Sequence, residues 1–189
     1  GATTSDDRIL FAVGTWTLHE VIFVTVNLFL YMCYHFDLFA KFRVDPKATY
    51  PSGQLVRKAL FKAVISHGIS LPALYFTAPA FFWFGMSAGV EIPRLRTIAW
   101  QVLFCMVFED TLFYWSHRLL HHRRIYKYIH KQHHEFVTTI GIASEYAHPV
   151  ESLVANLIPT LCGAMVIGAH FVVLWVFLFL RTWETVDSH

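Results

Sequence analysis

The chain has 189 residues, of which 56% are hydrophobic and 15% charged, and its formal net charge is +2. That apolar excess is more than one soluble core of this length needs and indicates a membrane protein, while a charge so close to balance gives no case for nucleic-acid binding. Cys33, Cys105 and Cys162 stand alone in apolar stretches, which reads as packing and not as a disulfide framework.

The first apolar stretch, about 9–34, has neither a basic leader region nor a small-residue cleavage site, so no cleavable signal peptide is expected. It has the length of a bilayer span, as do stretches two and three, about 60–84 and 98–115. Each is expected to be a helix, because backbone groups in lipid must be satisfied within their own segment. His19 and Glu20 fall inside the first span; they should face the bundle interior or an interface, and a buried hydrogen bond to a neighbouring helix is the favoured reading. Pro72 and Pro79 should bend or divide the second helix. His35, His67 and His170 look like solitary structural or interfacial histidines.

Lys41, Arg43, Lys47, Arg57, Lys58 and Lys62 follow the first span, and Arg118, Arg123, Arg124, Lys127 and Lys131 follow the third. The link between spans two and three holds only Arg94 and Arg96, opposed by Glu91. Both basic segments are therefore expected on the cytosolic or matrix side, with the histidine-rich region 116–150 just beyond the membrane surface. The fourth apolar stretch, about 153–180, has Gly163 and Gly168 near its middle. A re-entrant hairpin of two short helices is predicted there, because a single crossing would strand His189 on the opposite side. With no repeat and no low-complexity linker, the expectation is one all-α domain over 1–189: an integral membrane helical bundle with cytosolic-side histidine-rich helices.

Two clusters, His117-Arg-Leu-Leu-His121-His122 and His130-Lys-Gln-His133-His134, carry the chemistry. On a helix, positions i, i+3 and i+4 share a face, so these imidazoles can converge as a transition metal requires. Any one of them alone reads as an interfacial residue; six within eighteen residues at ligand spacing read as a metal site. No cysteine lies nearby, and an imidazole-rich site suits iron, copper or zinc without separating them. The Glu-x-x-His pattern of soluble di-iron bundles is absent. A zinc-dependent lipid hydrolase is disfavoured because no carboxylate base sits within the clusters. Asp110, seven residues before His117, or its neighbour Glu109, can hold the second ring N–H of His117; equally, either can be a helix-end carboxylate paired with Arg118 or Arg123.

The run Glu109-Asp110-Thr-Leu-Phe-Tyr-Trp-Ser-His117-Arg-Leu-Leu-His121-His122, with Tyr126-Lys-Tyr-Ile-His130-Lys-Gln-His133-His134-Glu135, resembles the fatty acid hydroxylase/sterol desaturase superfamily. Ser144-Glu-Tyr-Ala-His148-Pro-Val-Glu151 and Glu184-Thr-Val-Asp-Ser-His189 look most like its C-4 methylsterol oxidase branch. The resemblance implies a membrane non-haem di-iron oxygenase. It would use O2 and electrons from NAD(P)H, relayed by cytochrome b5 and its reductase, to oxidise the 4-methyl group of a sterol in the endoplasmic reticulum. Zinc can replace the two iron ions on purification. By that resemblance His117 and His121 match the first histidine box (His122 in place of His121 where the box is one residue wider), and His130, His133 and His134 match the second. His189 opens the downstream ligand region. His148, with Glu145 and Tyr146 of the same motif, is expected behind the ligands or in the substrate pocket, and Phe113, Tyr114 and Tyr146 are aromatic pocket candidates. The family carries a further His-x-x-His-His box beyond the position of His189, where this sequence stops. The expectation is either a fragment of a longer enzyme or a chain that has lost the box. In the second case it would be a catalytically inactive accessory subunit of a larger membrane assembly, in an organellar (mitochondrial) membrane.

Overall fold

A computed structural model describes residues 4–42, 49–89, 91–138 and 140–189; Arg43 and Lys47 of the basic connection lie outside them. The described chain is all-α. Helix α1 (Ser5–His35) starts with a capping box, in which the Asp7 amide donates to the Thr4 hydroxyl and the Thr4 amide to the Asp7 carboxylate, both at 3.1 Å. Helix α2 (Gly53–Trp83) is capped by the Ser52 hydroxyl, which accepts from the Leu55 amide. It runs unbroken through Pro72 and Pro79, so the division allowed by the sequence does not occur. Helix α3 (Leu95–Leu120) follows, then a long irregular segment, then α4 (Pro149–Val166) and α5 (Phe171–Asp187). Within α4, Ser152–Leu157 is wound as a π-helix directly after Glu151.

Among the described residues three helices, α1, α2 and α4, are long and apolar enough to cross a membrane, and the chain is an integral membrane protein. Stretch 98–115 does form most of α3, but Gln101, Glu109 and Asp110 dilute its apolar character. Side chains such as Val21, Val24, Phe61, Val64, Ile69 and Phe76 point outward from α1 and α2 and are exposed, as lipid-facing residues should be. At 31 residues each, α1 and α2 are about 45 Å long, well over a hydrocarbon layer of about 30 Å. Their surplus length flanks the histidine region: Lys58 donates to Glu135 at 2.8 Å and Lys62 to Gln132 at 2.5 Å. The basic start of α2 and the segment after α3 thus share one end of the bundle.

Packing runs α2 on α1, α1 on α5, and α3 against both α4 and α5. Between them Phe11 is fully buried, with Phe81 and Phe171 at ring-centroid distances of 4.9 and 5.3 Å. The chain reverses between α4 and α5 at Gly168, whose φ of 57° is a conformation that suits glycine. This turn docks on the α2–α3 link, where the Phe171 amide donates to Ser87 O at 3.0 Å and His170 Nε2 donates to Gly89 O at 2.8 Å. Helix α4 therefore leaves the histidine end and α5 returns to it, the reversal lying at the end of the bundle that carries the α2–α3 link. At 18 and 17 residues the two helices are longer than the short re-entrant pair expected. Gly163 takes no part in the reversal. It lies inside α4, where a Cβ would stand 3.2 Å from Cys105 Cα on α3. Gly163→Val should force these helices apart and cost about 1–3 kcal/mol, read as a lower unfolding temperature in detergent.

Candidate metal centre

The last turn of α3 sets His117 and His121 on one face, their Nε2 atoms 3.2 Å apart. The chain then loops round and re-enters as a 3-10 turn, His130–Glu135. There His130 is fully buried, and its Nε2 lies 3.1 Å from that of His121 and 3.0 Å from that of His134. The His117 ring stands 4.6 Å from the His130 ring, edge to face. His133 stacks at 5.6 Å from His130, and its Nε2 is 3.4 Å from Nε2 of His189, delivered by the C-terminus of α5. Six imidazoles from α3, the 3-10 turn and the end of α5 therefore form one contiguous set.

Hydrogen bonds on the outer edge fix which nitrogen faces inward. His130 Nδ1 donates to Glu151 Oε1 at 2.8 Å, and His189 Nδ1 donates to Thr185 O at 2.8 Å. Each bond places the ring proton on Nδ1 and leaves the Nε2 lone pair aimed into the cluster, the arrangement in which metal-ligating histidines are held. Burial first, and repulsion from neighbouring imidazoles second, hold His130 at about 3 and His133 at about 4, and they lower His134 too. Those rings are neutral near pH 7, so their lone pairs are available to a cation.

Other expected site residues are placed elsewhere. His122 is exposed, and its Nδ1 accepts from the Arg124 amide at 3.4 Å, apart from the converging rings. His121→Ala should therefore lower metal content while His122→Ala leaves it unchanged, as read by metal analysis of the purified variants. Glu109 is buried and pairs with Arg181 of α5 at 2.9 Å, not with Arg118 or Arg123. Asp110 is exposed; with Phe113, Tyr114, His117 and Arg118 it lines an open groove of about 420 Å³ on α3. The carboxylate that orients His130 is instead Glu151, the last residue of the His148-to-Glu151 motif, to which the sequence alone assigns no role. His148 itself caps α4, accepting from the Val150 amide at 3.2 Å. Tyr146 is not in the groove. It is buried, stands edge-on to Phe136, and donates to Glu135 Oε2 at 2.8 Å.

Glu145 belongs to a second cluster. It accepts from His19 Nε2 at 2.9 Å and from His67 Nε2, while His67 Nδ1 lies 2.9 Å and His19 Nδ1 3.3 Å from the carboxylate of Glu20. His67 is thus not solitary, and the bonds of His19 and Glu20 join three segments. Burial raises the Glu145 carboxyl, but the hydrogen bonds from His19 and His67 outweigh it and hold the group at about 2.

The family model for fatty acid hydroxylases matches residues 102–189. Over 181 residues the chain is 38% identical to a very-long-chain aldehyde decarbonylase of rice (Oryza sativa subsp. indica), covering 95% of this chain and 67% of that protein. It is 33% identical over 188 residues to methylsterol monooxygenase 2-2 of Arabidopsis thaliana, covering 99% and 70%. The chain belongs to the fatty acid hydroxylase/sterol desaturase superfamily. No solved structure matches it. The part matched by the fatty acid hydroxylase model contains all six converging imidazoles together with Glu109, Glu151 and Arg181, whereas His19, Glu20 and His67 come from the helices before it.

Proposed function

We propose that this superfamily member is a membrane non-haem di-iron oxygenase that oxidises the 4-methyl group of a sterol. The convergence of the His117, His121, His130, His133, His134 and His189 rings, with the Nε2 atoms of His130 and His189 freed toward the centre, carries the reading. A thiolate-free set of imidazoles suits iron, and zinc can occupy it. These six residues would hold the metals. When bound, the iron pair supplies the oxidising power that an unactivated C–H bond demands and that side chains lack.

The chain's own residues do the rest. Glu151 holds the His130 proton at Nδ1, and Thr185 O does the same for His189. The groove beside His117 offers Phe113 and Tyr114 to an apolar substrate arriving from the bilayer. Electrons from NAD(P)H by way of cytochrome b5 and its reductase, and residence in the endoplasmic reticulum with the histidine end in the cytosol, complete the proposal and follow from the sterol reading.

Aldehyde decarbonylation is the second reading, favoured by the 38% identity to the rice protein. The test is to supply the intact protein in membranes with iron, O2 and reductant, and to offer a 4-methylsterol and a very-long-chain aldehyde side by side. Oxidation of the sterol methyl group by iron-loaded protein is expected. Consumption of the aldehyde alone moves the assignment to the decarbonylases. Metal-free protein that turns over neither substrate leaves the accessory subunit.

A further inference from the structure

The cluster of His19, Glu20, His67 and Glu145 lies outside the six-imidazole set and shares no residue with it. His19 and Glu20 sit near the middle of α1, His67 near the middle of α2, and Glu145 at the end of the 3-10 turn Gly141–Glu145. All four side chains are largely buried, between 12% and 30% exposed. Ionisable groups at mid-helix in a membrane bundle are costly, so a cluster of four needs a reason.

The pairing pattern supplies one. Each imidazole turns Nδ1 toward Glu20 and Nε2 toward Glu145. The ligand atoms of His19, Glu20 and His67 all lie within 4.8 Å of one another. His19 Nδ1 lies 3.3 Å from one Glu20 oxygen and His67 Nδ1 2.9 Å from the other, so the carboxylate turns one oxygen to each ring, at close to the spacing of about 3 Å between neighbouring ligands that each stand about 2.0–2.2 Å from a first-row ion. On the far side of both rings, Glu145 accepts the two Nε2 protons. A carboxylate placed there fixes the tautomer that leaves Nδ1 free to ligate.

The geometry points to a mononuclear divalent-cation site formed by His19 Nδ1, Glu20 and His67 Nδ1, with Glu145 orienting both rings. Two imidazoles and one carboxylate suit a first-row ion of the zinc, iron or manganese class. Charge agrees: one divalent cation balances the Glu20 and Glu145 carboxylates while both imidazoles stay neutral. Such an ion would tie α1 and α2 to the turn that leads into Tyr146 and α4. This site stands whether or not the oxygenase proposal does. The opposing arrangement has no metal and an extra proton on each imidazole, so that all four ring nitrogens donate.

The test counts metal in the intact protein after growth with zinc. His67→Gln and Glu20→Gln should each lower the content by one equivalent per chain, and His117→Ala/His130→Ala should still retain one. A wild-type protein that keeps the same content when His67 or Glu20 is replaced overturns the site. So does a His117→Ala/His130→Ala variant that is folded and metal-free. Anomalous scattering at the zinc edge from the wild-type protein needs no variant. A peak between the two Nδ1 atoms and Glu20 supports the site, and ordered side chains without a peak overturn it.

Discussion

His130→Ala is expected to strip the metal centre and end turnover, with the largest loss of metal of any single substitution in the set. His130 alone has its Nε2 within 3.1 Å of two other imidazole Nε2 atoms while its Nδ1 donates to a buried carboxylate. Removing the ring takes away a ligand and leaves Glu151 buried without its donor, a further cost of about 1–3 kcal/mol. The companion variant Glu151→Gln separates these effects. A glutamine oxygen still accepts the Nδ1 proton but no longer stabilises the polarised ring, so metal affinity should fall about 10–100-fold with the fold intact. Competition with a chelator reads both. Equal metal retention by wild type, His130→Ala and Glu151→Gln would falsify the assignment of this ring to the centre.

Local periodicity makes some of this legible in the sequence and hides the rest. The relation of His117 to His121 is a matter of one helical turn, and the i, i+4 rule places both rings on one face. The second box reads as an α-helix by the same rule, yet His130–Glu135 folds as a tighter 3-10 turn. In that geometry i and i+3 align, which is why the rings of His130 and His133 lie stacked 14° from parallel while His134 crosses His130 at 89°. The all-α membrane class is legible in the apolar runs.

No local period announces that Glu151 meets His130, that Arg181 meets Glu109, or that Glu145 meets His19 and His67. Each contact joins separate elements and depends on how α1 to α5 and the segment after α3 pack. Sequence proximity is a poor guide in two places: Asp110 is near His117 in the chain but exposed, and His122 adjoins His121 but is exposed and hydrogen-bonded to the Arg124 amide. Gly163 and Gly168 both offer a reversal between α4 and α5 in the sequence. Only Gly168 adopts a positive φ, and Gly163 instead meets Cys105.

Arg181→Ala is expected to be the most damaging substitution away from the imidazoles. Its guanidinium pairs with Glu109, which is 2% exposed, and with Glu184, and it lies 5.5 Å from the ring centre of Phe113. Truncation leaves the Glu109 carboxylate buried with no cation, and removing one partner of a buried pair costs about 3–5 kcal/mol. The reverse truncation, Glu109→Ala, should cost less, because Arg181 keeps Glu184 and is itself more exposed. Replacing both with apolar residues, Glu109→Leu with Arg181→Met, should recover most of the stability, since a well-packed apolar pair avoids desolvating two charges. Thermal unfolding in detergent gives the order: Arg181→Ala lowest, the double variant near wild type. The pair also sets the register between α3, which carries His117 and His121, and α5, which carries His189. The six-imidazole centre should therefore lose metal in Arg181→Ala and keep it in the double variant. An Arg181→Ala protein as stable as Glu109→Ala would show that the pair does not hold these two helices in register.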